Sequence, residues 1–273
     1  MKRKSAISNL QSAIPLIVLV NDDGIRSPGL LALARAMLEL GQVLIVAPRT
    51  QQTSMGRAFA GTGRIRRVAY VVDGTHIRAY AVSATPAIAV RNALILYADR
   101  APALVVSGIN YGENIANGVT ISGTVCAAIE AAAMGVPALA VSQATPPRYH
   151  KSYSASIDFS VAAHFAKEFA LRIFQRGMPR GADVVNLNVP EGATAQTPWR
   201  WTRVSRNNYF RSQVQSGKRG KFLRGYELNL DREEPERDSD VRAVVIDRVV
   251  SVSPITLDLT ANVKARERAR WGR

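Results

Sequence analysis

Five consecutive apolar residues, Leu16, Ile17, Val18, Leu19 and Val20, run directly into Asn21, Asp22, Asp23 and Gly24, and this junction constrains the chain more than any other feature. A continuous apolar run with β-branched members is the pattern of a parallel strand buried on both faces. In open α/β sheets, ligands bind beyond the carboxyl ends of such strands. Two adjacent carboxylates at that position carry a large desolvation cost, which a hard cation would offset.

The rest of the chain repeats the pattern. Pro28 sits where a helix begins, and Leu30, Leu31, Leu33, Ala34, Met37 and Leu38 recur at helical spacing until Gly41. Residues 43–46 form a second apolar strand that stops at Ala47 and Pro48 and opens into the polar loop 49–57. The stretch 65–82 predicts a hairpin around Asp73 and Gly74. Residues 86–97 read as a helix, and 103–106 as a buried strand opening into Ser107, Gly108, Ile109 and Asn110. After a glycine-rich loop, Ser122, Gly123 and Thr124 lead an alanine-rich helix, 125–134, closed by Gly135. A strand at 138–141, an amphipathic helix over 154–176 and a strand at 184–189 complete an alternation that predicts a three-layer, mostly parallel, doubly wound α/β sheet. From Glu191 onward Trp199, Trp201, Tyr209 and Phe210 are interleaved with Arg and Lys, and 232–240 is dense in charge. The expected division is a core over 14–190 and a β-rich C-terminal extension over 191–273, with a hairpin arm and a basic tail.

The chain has 273 residues, 47% of them hydrophobic, enough for a sizeable core. Its formal net charge of +15 favours anionic partners such as nucleotides, polyphosphate, nucleic acid or anionic lipid. Much of the excess lies at the ends, in Lys2, Arg3 and Lys4 and in Lys264, Arg266, Arg268, Arg270 and Arg273, and reads as solvated termini. The single Cys126 allows no intrachain disulfide and reads as a small core residue, so cysteine usage fits a reducing cytoplasm. Residues 13–20 imitate a secretory signal but are broken by Pro15 and lack a cleavage site. No segment reaches the roughly 18 to 20 apolar residues of a membrane span, so no membrane partner is expected.

Carboxylates combined with neutral oxygens select Mg²⁺, Mn²⁺ or Ca²⁺ over softer metals. Against that stands a plainer reading of Asp23 and Gly24 as an Asx turn reversing the chain. The second strand end supplies the hydroxyls of Thr53 and Ser54 and the third the amide of Asn110, all at what the βα pattern makes one rim. Ser122, Gly123 and Thr124 open a helix, whose free N–H groups can receive a phosphate; the alternative for Ser122 is simple N-capping. A phosphate held there beside a divalent cation would be polarised for attack by metal-activated water, which is phosphate ester hydrolysis. His76, His150 and His164 are too scattered for a triad, and residues 21–29 lack the three-glycine dinucleotide fingerprint.

The strings Val20-Asn21-Asp22-Asp23-Gly24-Ile25, Ser107-Gly108-Ile109-Asn110-Tyr111-Gly112-Glu113-Asn114 and Ser122-Gly123-Thr124-Val125, in this order, resemble the SurE survival-protein family of nucleotidases. The likeness covers residues 14–143 well, with weaker echoes at 186–190, 250–255 and 258–260. It implies a Rossmann-like core and a C-terminal extension that builds homodimers or homotetramers. It also implies a Mg²⁺- or Mn²⁺-dependent phosphatase, with one ion per subunit, acting on nucleoside 5′- and 3′-monophosphates and, in some members, short polyphosphate. By position, Asp22, Asp23 and Asn110 match metal ligands and catalytic groups, with Asp23 or a metal-bound water as activator. Asn114, Ser122, Gly123 and Thr124 match the phosphate pocket. The fourth ligand, a serine in the family, falls on Thr53, with Ser54 adjacent as the alternative. Three positions depart from the family pattern. Ala87 and Ile88 follow Pro86 where an acid is usual, Gly118 replaces an aspartate, and Ile121 replaces an aromatic residue.

Two rival functions are open to test. A haloacid-dehalogenase-type phosphatase uses an aspartyl nucleophile but needs its acids two residues apart, whereas Asp22 and Asp23 are contiguous. A single-stranded nucleic-acid binder would use the basic, aromatic stretch 199–224 and the tail. Trp199, Trp201, Tyr209 and Phe210 read instead as an oligomer interface, so nucleic acid is not the expected partner.

Overall fold

The apolar runs pair into one nine-stranded sheet. The computed structural model describes residues 14–217, 220–229 and 234–272; the basic residues at 2–4 and at 273, and part of the charge-dense 232–240 stretch, lie outside them. The elements that position the site are β1 (Leu16–Val20), α1 (Pro28–Leu38), β2 (Gln42–Pro48), β3 (Gly61–Val68), β4 (Val71–Val72), β5 (Thr75–His76), β6 (Arg78–Ala84) and α2 (Pro86–Asn92). They continue with β7 (Leu104–Tyr111), α3 (Gly123–Ala133), β8 (Ala138–Gln143), α4 (Ser160–Arg176), β9 (Val184–Val189) and β10 (Trp199–Trp201). The last are β11 (Phe210–Gly217), β12 (Gly220–Leu228), β13 (Val250–Ile255) and α5 (Ala265–Trp271).

The strand order is β10-β13-β9-β8-β7-β1-β2-β6-β3. The central strands β9, β8, β7, β1, β2 and β6 run parallel, while β3 and β13 join antiparallel on either side. Every residue of β1 is buried. Ile17 and Leu19 face the core under α1 and α4, and Leu16, Val18 and Val20 face the core under α2 and α3. This is why the strand reads as an unbroken apolar run rather than an alternating one. The chain leaves β1 toward β2 and β6 and returns on the other side as β7, so the topological switch point lies between β1 and β7.

Several boundaries differ from the sequence reading. The strand expected at 103–106 continues through Ser107, Gly108, Ile109 and Asn110 to Tyr111, pairing with β8 past a register slip between Ser107 and Asn110. Polar and glycine residues there imitate a loop, although the backbone stays in the ladder with a bulge that re-aims Asn110. The helix expected from 154 starts at Ser160, because the Asp158 carboxylate accepts both the Ser160 backbone N–H (2.8 Å) and its hydroxyl (2.9 Å). The helix expected over 86–97 ends as a regular helix at Asn92 and continues as a wider π turn, Ala93–Tyr97. The hairpin holds, with β3 antiparallel to β6, and the small β4–β5 ribbon turns at Asp73 (φ +48°) and Gly74 (φ +80°).

Beyond residue 190, β13 and β10 extend the main sheet, and β11 and β12 form a separate two-stranded arm. Two of the four aromatic residues read as an interface, Trp199 and Tyr209, pack within the chain itself. Trp199 packs edge-on against Phe169 with ring centres 5.2 Å apart. Tyr209 is buried with Ile115, Ala116, Val241 and Val244. Trp201, by contrast, is 49% exposed. Cys126 is buried, its Sγ against the Val119 and Thr120 carbonyls, and burial pushes its thiol up to about 11. Among the described residues no helix is long and apolar enough to cross a membrane.

Candidate active site

The turn after β1 is closed by Asn21. Its Oδ1 accepts the Gly24 N–H at 3.1 Å, its Nδ2 donates to the Gly24 carbonyl at 3.0 Å, and Gly24 takes φ +101°. The Asx turn is therefore present but made by Asn21, which leaves both following carboxylates free for other work.

Asp22 Oδ1 accepts the Thr124 hydroxyl at 2.5 Å. A Cβ built on Gly123 would stand 2.8 Å from Asp22 Oδ2, so the first turn of α3 approaches the acid as closely as glycine permits. Asp23 Oδ1 accepts from Gln51 Nε2 at 2.9 Å, and Oδ2 accepts from the Tyr111 backbone N–H at 3.4 Å. Both acids are buried, and among the described residues neither has a Lys or Arg partner. Burial pushes the Asp22 carboxyl up to about 6, partly offset by the Thr124 hydrogen bond. Asp23 is raised well above the usual carboxylate range by burial first and by repulsion from Asp22 second.

These shifts carry a sign that can be tested. Between about pH 4 and pH 6 native Asp22 holds a proton that the unfolded chain has released, and raised Asp23 acts in the same direction, so this contribution to stability is present at low pH and lost as pH rises. Thermal unfolding in metal-free buffer is expected to show the Tm deficit of the parent, relative to Asp22→Asn/Asp23→Asn, widening from pH 5 to pH 7.5. A deficit independent of pH over that span would remove the pair from the titration.

Neighbouring loops close around these acids through backbone bonds. Gln52 N–H donates to the Asp22 carbonyl (2.7 Å), Ile25 N–H to Pro48 (2.8 Å) and Gly56 N–H to Ile121 (3.0 Å). They bring Thr53 and Ser54 into the same cleft as Asp22, Asn110, Asn114 and Ser122. Asn110 spends its amide nitrogen on the Tyr111 (3.1 Å) and Gly112 (2.7 Å) carbonyls, which leaves Oδ1 as its open acceptor. Ser122 Oγ accepts the Val125 N–H at 3.1 Å, so it caps α3 while lining the cleft. Asp23, Gly123 and Thr124 do not line the cleft: Asp23 is held by Gln51, and the other two pack against Asp22. The N–H groups of Gly123 and Thr124 belong to a first helical turn, which has no carbonyl four residues back to accept them. Asn114 is held from β9, its N–H donating to Asn188 Oδ1 (2.8 Å) and its carbonyl accepting from Asn186 Nδ2 (2.9 Å).

Several contributors escaped the sequence reading. His150 is buried at the cleft, whereas His76 and His164 are exposed. Its Nε2 lies 2.8 Å from the Thr145 carbonyl, which makes that nitrogen the donor and leaves Nδ1 to accept from the Tyr226 hydroxyl. Gly112 leaves room for the ring, since a Cβ there would fall 2.5 Å from Nε2. Phe210 and Tyr226, at the base of the arm, wall the cleft. A Cβ on Gly118 would stand 2.8 Å from the Phe210 ring, so this glycine is where that ring seats. The one available signal was Asn186 and Asn188, polar residues interrupting an apolar strand.

An open, mostly parallel sheet with buried acids and a helix N-terminus meeting at its switch point defines a Rossmann-like α/β protein, a class whose ligands bind at the carboxyl rim of the sheet. The family model described as Survival protein SurE matches residues 17–211. The 5′-nucleotidase SurE of Thermococcus kodakarensis is 39% identical over 251 residues, covering 92% of this chain and 96% of that protein. The 5′-nucleotidase SurE of Methanocella arvoryzae is 39% identical over 250 residues, covering 90% and 93%. The crystal structure of the SurE protein from Aquifex aeolicus superposes with a TM-score of 0.73 at 28% identity, covering 94% of this chain and 99% of that one. The chain belongs to the SurE family.

Proposed function

We propose that this chain is a divalent-metal-dependent phosphomonoesterase that releases phosphate from nucleoside 5′- and 3′-monophosphates. The observation that carries the reading is the buried Asp22–Asp23 pair with no cationic side chain beside it, set against the first turn of α3. Its relatives bear the name 5′-nucleotidase.

The donors present fit a hard cation. Among the described residues no cluster of three His, Cys, Asp or Glu side chains exists, so a softer metal lacks its ligands. Two carboxylates, the Asn110 Oδ1 and one hydroxyl from Thr53 or Ser54 make an oxygen set suited to Mg²⁺ or Mn²⁺. A divalent ion bound there supplies charge neutralisation at the phosphate and a water acidic enough to attack it. The protein's own part is positioning. Thr124 and Gln51 hold the two carboxylates, the first-turn N–H groups of α3 and the second proton of the Asn114 side-chain amide, whose first goes to Ser142 Oγ, receive phosphate oxygens, and Phe210 and Tyr226 shield the cleft from bulk water.

The decisive assay is phosphate release from a panel of nucleoside 5′- and 3′-monophosphates and short polyphosphate, with chelator and with added Mg²⁺ or Mn²⁺. Release from monophosphates that is abolished by chelator and restored by either ion is expected. Full activity in chelator would defeat the proposal. The hydroxyl ligand is separable by mutation: Thr53→Val is expected to raise the metal concentration for half-activity by about tenfold or more, with Ser54→Ala near parent. The reverse pattern assigns Ser54. The lone buried thiol suits a reducing cytoplasm. The exposed Val214, Phe222 and Leu223 of the arm support self-association as a dimer or tetramer, which sedimentation will read out.

A further inference from the structure

A second and larger cleft lies on the sheet face over β6 and β3, beside the catalytic loops. It measures about 960 Å³ against about 90 Å³ for the catalytic cleft, at the upper end of the roughly 300 to 1,000 Å³ typical of small-molecule sites. Ala81 and Ser83 of β6 line it with small side chains. Its walls carry four exposed arginines. Arg64 and Arg66 stand two apart on β3 and so share a face, Arg26 follows the Asp22–Gly24 turn, and Arg49 opens the loop that leads to Thr53.

Among the described residues no carboxylate lines this cleft. Several arginines elsewhere are paired, Arg35 with Asp73, Arg57 and Arg91 with Glu130, and Arg242 with Glu234 and Asp247. Among the described residues the four cleft arginines make neither an ion pair nor a side-chain hydrogen bond, in contrast to those pairs. Four like charges around a concavity repel one another and focus a positive potential into it. Their planar forks match phosphate oxygens bidentately. The same charge disfavours docking of this face on its copy in a second chain.

Tyr153, 49% exposed, stands at the cleft, and an apolar recess containing Leu31, Val68 and Tyr70 adjoins it through Ile25 and Arg26. We propose that this cleft is an anion site, separate from the catalytic one, that binds a linear oligophosphate, either free or carried on a nucleoside whose base packs on Tyr153. Four cations suit the four charges of a triphosphate, and a single orthophosphate spans too little to engage all four.

The test measures binding by titration calorimetry in metal-free buffer, where nothing turns over, so its outcome is independent of the phosphatase reading. Inorganic tripolyphosphate and the β,γ-imido analogue of a nucleoside triphosphate are titrated into the parent, Arg64→Ser/Arg66→Ser, Arg26→Ser/Arg49→Ser and Asp23→Asn. Both double variants, checked for folding by thermal melts, are expected to weaken binding at least tenfold, with Asp23→Asn unchanged. Tighter binding of the imido analogue assigns the nucleoside-borne ligand, and equal binding assigns the free chain. Parent-like binding by both double variants, loss of binding in Asp23→Asn, or equal affinity for orthophosphate would each overturn the proposal. Monophosphate hydrolysis by Arg64→Ser/Arg66→Ser should stay within about twofold of parent, and a larger fall would overturn the separateness of the two sites.

Discussion

Asp23→Asn is expected to leave a folded protein that releases phosphate about 10³-fold more slowly than the parent. The substitution keeps the shape of the side chain and its acceptor for Gln51 Nε2, so the loop carrying Thr53 and Ser54 stays in place. What it removes is one of two buried negative charges. If those charges hold the cation, losing half of them costs about 4 kcal/mol of transition-state stabilisation, which is the quoted factor. Stability should move the other way. The Asp22–Asp23 repulsion disappears, so in metal-free buffer the variant's Tm should equal or exceed the parent's. Adding Mn²⁺ at neutral pH should raise the parent's Tm and leave the variant's unchanged, because a ligand stabilises only the state that binds it. Parent-like turnover by a folded Asp23→Asn would refute the proposed role of the pair.

Gly123→Ala is expected to lower kcat/KM on nucleoside monophosphates by about 10²-fold while changing Tm by only a few degrees. Alanine is a better helix former than glycine, by up to about 1 kcal/mol, so propensity alone predicts a gain. The new Cβ, however, would stand 2.7 Å from the Asp22 Cβ and 2.8 Å from its Oδ2, separations that no folded protein sustains. Asp22 is pinned on its other oxygen by Thr124, so relief comes by rotating the carboxylate or lifting the helix end. Either displaces a reacting group by roughly 1 Å, the scale at which about 10²-fold of rate is lost. Parent-like activity would mean that the contact between α3 and Asp22 has no bearing on the reaction.

The part of this site legible in the sequence was the part written locally. Asp22 and Asp23 follow an apolar run that is continuous because β1 is covered on both faces, and strand direction then put Thr53, Ser54 and Asn110 on one rim. The limits have physical causes. Ser107 to Asn110 look like loop residues, yet a ladder needs only backbone groups, so β7 runs on through them. Which side of an acid faces solvent is set by packing, so nothing local distinguished cleft-lining Asp22 from Asp23, bound to Gln51. Phe210 and Tyr226 come from an arm about a hundred residues beyond the loops they cover, and His150 became a cleft residue only once Tyr226 and Thr145 met its two nitrogens. Composition suggested an aromatic interface at Trp199 and Tyr209 because burial within one chain and burial between chains use the same residue types.

The thiol of Cys126, carried by the first turn of α3, has its ionisation suppressed by burial, and the sequence holds no other sulfhydryl. In the native state it is expected to resist alkylating reagents, which require the thiolate and access. A cysteine placed at Val214 on the arm, 62% exposed, would be the sole site to take a maleimide probe without first stripping the protein of its own sulfur. Movement of the arm against the cleft is thus open to single-label spectroscopy in an otherwise native background.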